Sequence, residues 1–210
     1  MSHFDEEYKK RPFLFGKEVT SELKYVVEQF DISGKALELG CGDGRDTVHM
    51  LKKGLAVDAV ERSVSACNTL KNRNDISNVE RVRLNIICTD VTTFAMTSNY
   101  YDFIYGVTLL DHLSPTVGER ILKDCLKALK SGGYLFLKVH TVNDVGNTHL
   151  SKKISEFSQE IEHFYAENEL LKQLVHTGTV LFYLETSEDD FDHGPPHTHA
   201  FASILYRKGE

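Results

Sequence analysis

Lys35-Ala36-Leu37-Glu38-Leu39-Gly40-Cys41-Gly42-Asp43-Gly44-Arg45 is the stretch that decides how this chain is read. Lys35 to Leu39 is a short apolar run ending at glycine, the pattern of a buried strand. Arg45 to Lys53 reads as a helix stopped by Gly54. Strand, glycine-rich turn and helix put the turn at the carboxyl end of a strand, where open α/β sheets bind ligands. Glycine in that turn lets the backbone come close to a ligand.

Strand-like and helix-like segments alternate outward from this point, which predicts a parallel sheet covered by helices on both faces. Leu55 to Val60 is a second strand, Ser63 caps a helix reaching about Asn72, and Arg83 to Cys88 is a third strand. Tyr101 to Val107 is the fourth. Pro115 to Leu129 is a helix closed by Lys130 and Gly132-Gly133, and Tyr134 to Val139 is the fifth strand. Before the first strand, Val19, Leu23, Val26, Val27 and Phe30 carry helical spacing over Lys17 to Phe30. Ile154 to Val175 reads as helix in two pieces. Thr179 to Glu185 and Ala200 to Tyr206 read as two strands joined by a loop, Thr186 to Pro196, rich in acid, Gly and Pro. A parallel sheet closed by such a hairpin is mixed.

The glycine turn allows more than one ligand. A dinucleotide site wants G-x-G-x-x-G, but the sixth position from Gly40 is Arg45, and the third glycine falls at Gly44. An NAD-dependent oxidoreductase is disfavoured on that ground. Glu38, two residues before the turn, would repel a pyrophosphate and suits a cationic group such as the ammonium of a methionine moiety. Glu61 ends the second strand, where a carboxylate can accept from both hydroxyls of a ribose. Asp90 follows the third strand, where it can take an adenine amino group with Val91 packed on the ring. Any one of these acids alone reads as a solvated strand end. Their joint order is the signal.

These residues resemble the class I S-adenosylmethionine-dependent methyltransferases. Ala36 to Gly44 is similar to the family's first motif, Val57 to Ser63 to its second, and Thr89-Asp90-Val91 to its third. Tyr101 to Val107 with Leu110-Asp111-His112-Leu113 resembles the fourth-strand motif, and Leu126 to Tyr134 the block before strand five. Arg11-Pro12-Phe13-Leu14-Phe15-Gly16-Lys17 and Gly42-Asp43-Gly44-Arg45-Asp46 resemble the tellurite-resistance and thiopurine small-molecule branch. The resemblance implies a Rossmann-like, mostly parallel seven-stranded sheet with a C-terminal antiparallel hairpin. It implies one domain over 1–210: an N-terminal lid and helix (1–33), a cofactor-binding core (34–142), and acceptor-side helices with the terminal hairpin (143–210). S-adenosylmethionine would be cofactor and S-adenosylhomocysteine product. Glu38 would orient the methionine ammonium, against the backbones of Gly40, Cys41 and Gly42. Glu61 would hold the ribose with Arg62 beside the adenine, Asp90 and Val91 would grip the adenine, and Gly106 and Val107 would meet the methionine end.

The implied reaction is an in-line displacement of a methyl group onto a small-molecule acceptor, needing chiefly alignment and desolvation. A non-catalytic binder of the same cofactor would show the same pocket. His112 reads as a general base or as a packed histidine; His140 with Asp144, after strand five, lies where substrate loops form. Tyr105 would line a transfer channel or sit in the core. Tyr105-Gly106-Val107-Thr108 stands where methylases of exocyclic base amines carry N-P-P-Y. In His193-Gly194-Pro195-Pro196-His197-Thr198-His199, two histidines share a face of an extended strand. Two histidines with a nearby acid could bind a metal, but no second cluster at ordinary spacing completes a site, so the segment reads first as a polar hairpin lining the acceptor pocket, with no metal expected. Phe4 to Lys17 reads as a lid over the cofactor or as a partly ordered terminus.

Composition narrows the partners. A net charge of -7 without a basic run argues against nucleic acid. No apolar run is of membrane-spanning length and the first residues are polar and acidic, so a cytoplasmic address, with no membrane partner, is the default expectation. Cys41, Cys67, Cys88 and Cys125 form no C-x-x-C pair and read as reduced structural thiols.

Overall fold

The computed structural model describes residues 3–147, 160–190 and 196–209. In chain order the elements are α1 (His3–Lys10), α2 (Ser21–Gln29), β1 (Lys35–Leu39), α3 (Arg45–Lys52), β2 (Ala56–Glu61), α4 (Val64–Lys71), α5 (Asn78–Arg81), β3 (Leu84–Cys88), β4 (Tyr101–Val107), α6 (Pro115–Ala128), β5 (Leu129–His140), α7 (Glu169–Leu174), β6 (Gly178–Asp190) and β7 (His197–Lys208). One seven-stranded sheet runs in the order β3-β2-β1-β4-β5-β7-β6. β1 to β5 pair in parallel, and β7 is antiparallel to both β5 and β6. This is the expected mixed sheet with its terminal hairpin.

Alternation along the strands divides the core into two layers. Leu37, Ile104 and Leu137 face α6 and α7, packing with Ile121, Leu122 and Leu174. Ala36, Phe103 and Phe136 face the other way, against Leu23 and Val26 of α2 and Met50 and Leu51 of α3. Successive residues of β1 therefore serve opposite layers. The order reverses between β1 and β4, and the turn after β1 opens there. Gly40, Gly42 and Gly44 have φ of 70°, 53° and 87°, conformations that glycine adopts without a Cβ clash.

Several segments depart from expectation. The helix expected from Lys17 begins only at Ser21, because Thr20 is held by Asp46: its N–H donates to Oδ1 (2.8 Å) and its hydroxyl to Oδ2 (3.0 Å). β5 starts at Leu129 rather than Tyr134, and the glycines expected to close α6 sit within an irregular strand whose register shifts opposite Tyr101 and Phe103. The helix expected over Ile154–Val175 is confined, among the described residues, to Glu169–Leu174; 148–159 lie outside them. Residues 160–168 run irregularly because Tyr165 pairs with the chain after β5, its N–H donating to the His140 carbonyl (2.9 Å) and its carbonyl accepting from Val142 (2.9 Å).

The loop expected from Thr186 does not begin there. Thr186 to Asp190 continue β6, with Glu188 opposite His199 and Asp190 opposite His197, and residues 191–195 lie outside the description. Hydrophobic patterning does not register this placing of acid opposite histidine across the ladder. α5 carries a capping box, Ser77 with Glu80.

Candidate active site

A cavity of about 540 Å³ opens over the carboxyl ends of β1, β2, β4 and β5, within the range of small-molecule and cofactor sites. All the expected cofactor residues line it except Gly106. Glu38, Gly40, Cys41 and Gly42 come from β1 and its turn, Glu61 and Arg62 from the end of β2, Asp90 and Val91 from beyond β3, and Val107 from β4. Gly106 lies one residue inside β4, packed against Leu39 and Leu137.

Glu38 is buried, and its Oε2 accepts from the Thr47 hydroxyl and from Tyr105 Oη (2.9 Å). The register pairs Glu38 with Tyr105, which puts both side chains on one face of the sheet. Burial, and then the Asp46 carboxylate, push the Glu38 carboxyl up to about 8 against those two hydrogen bonds. Tyr105 is fully buried, stacked on Phe103, and does not line the cavity, so the transfer-channel reading of this residue is corrected. It positions Glu38.

Glu61 ties the second strand to the glycine turn. Its Oε2 accepts from Gly42 N (3.0 Å) and its Oε1 from Ser63 N (2.7 Å). Burial nevertheless raises its pKa. Burial also opposes ionisation of Asp90, but the N–H and hydroxyl of Thr92 (2.8 and 2.7 Å) outweigh it and hold Asp90 below the ordinary value. The pocket thus fits an adenosine with a cationic amino-acid tail: a ribose-height carboxylate, an ionised acid beyond it, and a buried acid at the glycine turn. A Cβ on Gly40 would approach Leu109 to 2.9 Å, and one on Gly42 would fall on Tyr8 Oη, so the backbone here is bare because nothing larger fits.

α1 lies across the mouth. Asp5 Oδ1 accepts from Ser63 Oγ (2.7 Å) and Ser65 N (3.0 Å), at the N-terminus of α4. Tyr8 is buried against the turn, and the Phe4 ring meets His112 edge-on at 5.2 Å. Thr108, directly after β4, lines the cavity with φ of 47°, a left-handed conformation unusual for a branched residue.

The far end of the cavity holds groups that sequence spacing does not join. His140, at the end of β5, sets its Nδ1 against the carboxylate of Asp111, which also accepts from the His140 N–H (3.1 Å). Asp111 is fully buried; burial disfavours its anion, but the His140 ring outweighs this and lowers its pKa. His112 also lines the cavity, with Nδ1 2.8 Å from the Glu160 carbonyl. Asp144 is buried and accepts from Ala200 N (2.9 Å), with Oδ2 2.8 Å from His199 Nδ1. Lys138, buried on β5, pairs with Glu22 (3.0 Å) and with Glu188 of β6. Lys138 and Glu188 carry no motif signal, and the pairing of β5 and β6 with β7 brings them in. Asp111 stands in the fourth-strand motif, but its contact with His140 does not show in the sequence.

The sheet order, the glycine turn and the three strand-end acids are those of a class I S-adenosylmethionine-dependent methyltransferase. A model of the tellurite resistance protein TehB family matches residues 4–182, and the chain belongs to that family. TehB from Haemophilus influenzae has a similar structure, with a TM-score of 0.74 at 19% identity, over 98% of this chain and 67% of that one. A Burkholderia thailandensis 1,6-didemethyltoxoflavin-N1-methyltransferase, solved with 1,6-didemethyltoxoflavin and S-adenosylhomocysteine bound, has a TM-score of 0.69 at 16% identity, over 97% of this chain and 84% of that one. In sequence, a ubiquinone biosynthesis O-methyltransferase of Coxiella burnetii is 30% identical over 122 residues, 58% of this chain and 49% of that protein. A pavine N-methyltransferase of Thalictrum flavum is 36% identical over 109 residues, 50% of this chain and 28% of that protein. The chain thus spans about half the length of the Coxiella relative. No helix among the described residues is long and apolar enough to cross a membrane.

Proposed function

We propose that the protein transfers the methyl group of S-adenosylmethionine to a small-molecule acceptor, with His140 as the base that takes the acceptor's proton. The observation that carries this reading is the single cavity that joins Glu38, Glu61 and Asp90 to His140. The bound cofactor supplies an electrophilic methyl on a sulfonium. Glu38 would hold its ammonium, with Gly40, Cys41 and Gly42 offering bare backbone to the amino-acid tail, and Glu61 and Asp90 would hold the ribose and adenine. α1, with Phe4 and Tyr8, closes over the pair and keeps water out.

Asp111 fixes the base. A carboxylate at Nδ1 selects the tautomer with its proton there and leaves the Nε2 lone pair for the acceptor. The acceptor's oxygen, nitrogen or sulfur would lose its proton to Nε2 as it takes the methyl group, whose bond to the sulfonium sulfur breaks with the electron pair kept by the departing S-adenosylhomocysteine. The imidazolium so formed is stabilised by Asp111.

Calorimetric titration with S-adenosylmethionine, S-adenosylhomocysteine and NAD tests the cofactor. Binding of the first two without NAD is expected, and NAD binding alone would refute the reading. On a panel of phenols, thiols and amines, His140→Gln should lower kcat by roughly 10²-fold or more and leave cofactor affinity unchanged. Full turnover in that variant would remove His140 from the chemistry.

A further inference from the structure

We infer that Asp190, His197 and His199 form a binding site for one divalent transition-metal ion, of the zinc or cobalt kind, at the acceptor end of the cavity. The three residues belong to the paired ends of β6 and β7, and one donor atom of each lies within 4.8 Å of the others. His199 Nε2 is 3.0 Å from His197 Nε2 and 3.6 Å from Asp190 Oδ2. Tetrahedral donors at about 2.0–2.1 Å from an ion stand roughly 3.3 Å apart, and the two separations bracket that spacing. Two imidazoles and one carboxylate are a ligand set for zinc and its neighbours rather than for calcium or magnesium.

The second observation is the buried carboxylate behind His199. Asp144 Oδ2 lies 2.8 Å from His199 Nδ1 and is itself fixed by Ala200 N, while its Oδ1 accepts from Gly146 N (2.6 Å). A buried carboxylate at Nδ1 requires the proton there. That leaves the Nε2 lone pair directed at His197 and Asp190, the arrangement in which an outer carboxylate orients a metal-bound histidine. His140, which also lies near Asp144 and His199, is engaged at Nδ1 by Asp111 and is left out of the site.

Asp190 and His199 line the cavity, so a fourth coordination position would open toward the acceptor. An ion there would offset the charge of Glu188, Asp189 and Asp190 and could lower the pKa of a coordinated hydroxyl or thiol. All three proposed ligands lie beyond residue 182, outside the stretch that matches the family. The site stands on its own geometry. Only its use in catalysis rests on the methyl-transfer reading.

Calorimetric titration of ZnCl₂ into chelator-treated protein, with CoCl₂ followed by visible absorption, tests the site. One equivalent per chain is expected, with the visible bands of tetrahedral cobalt. His197→Gln and His199→Gln should each abolish it, Asp144→Asn should weaken it by roughly 10–100-fold, and His140→Gln should leave it intact. His197 lies at a strand end outside the buried core, so its variant tests the site with the fold preserved. Four results overturn the inference: no binding by either ion, binding unchanged in both His197→Gln and His199→Gln, binding lost in His140→Gln, or a thiolate charge-transfer band that puts the ion on Cys67 and Cys88. Metal binding without cofactor binding refutes the methyl-transfer reading alone. Cofactor binding without metal refutes this inference alone.

Discussion

Cofactor binding should release a proton, and Glu38 should be its source. Shifting this carboxyl from 4.5 to about 8 disfavours the buried anion by roughly 5 kcal/mol. In the free protein at pH 7 about nine molecules in ten therefore carry a neutral Glu38. A ligand ammonium favours the anion, so binding expels the proton. Calorimetry at pH 7 in buffers of different ionisation enthalpy should show close to one proton released in the wild type and none in Glu38→Gln. Affinity should fall about tenfold for each pH unit below 8, most clearly between pH 6 and 7.5, before the ligand's own amine titrates. Tyr105→Phe removes a hydrogen bond that favours the anion. The carboxyl then titrates higher, and affinity at pH 7 drops further. The same shift works against stability. A folded pKa above the unfolded one means the native state holds the extra proton between pH 4.5 and about 8, so this group's contribution is present below 4.5 and is lost as pH rises through about 8. Glu38→Gln should accordingly raise the melting temperature of the free protein at pH 9 and hardly change it at pH 4. A pH-independent affinity with no proton release would refute the assignment of Glu38 to the ammonium.

Two further outcomes follow from buried contacts. Lys138→Met strands the Glu22 carboxylate, which Lys138 holds below its ordinary pKa against burial. The loss should be roughly 3 kcal/mol near neutrality and should shrink as acid protonates Glu22, as read by urea unfolding at pH 7 and pH 4. Asp5→Ala removes two hydrogen bonds between α1 and the start of α4. At about 1 kcal/mol for such a cap, S-adenosylhomocysteine should dissociate roughly fivefold faster in stopped flow, and an unchanged rate would show that α1 does not gate the cavity.

The cofactor end was legible in the sequence because its determinants are local. Glu38 and the glycines share one stretch, and Glu61 and Asp90 close two successive strands. The state of Glu38 was not legible, since Thr47 and Tyr105 reach it from α3 and β4. At the acceptor end the sequence offers His112, His140, Asp144 and the His193 to His199 segment but not their partners, for the same reason. Asp111 meets His140 across 29 residues and Asp144 meets His199 across 55, and neither pair shows as spacing. The helix expected over Ile154–Val175 rested on apolar periodicity. That signal does not separate a helix from an irregular segment such as 160–168, where Tyr165 packs inward. Ser77-Asn78-Val79-Glu80 is the reverse case, a capping box present in the sequence that the strand pattern passes over.

On the proposed methyl-transfer reading, charge at the acceptor end bears on the choice of acceptor. The family takes its name from tellurite resistance, yet an oxyanion entering this cavity would meet Glu188, Asp189 and Asp190. Lys138 offers little compensation, because Glu22 and Glu188 already take up its charge. Phe201 and the His140 ring, 4.6 Å apart between centroids, present instead an aromatic wall with a proton acceptor in it. That combination suits an uncharged acceptor bearing an O–H, N–H or S–H, which arrives neutral and is deprotonated as it reacts. An anionic acceptor becomes favourable only if a cation first occupies the Asp190, His197 and His199 cluster. Metal loading would then decide between the two acceptor classes in one protein, and turnover of phenols and of oxyanions should respond to zinc in opposite directions.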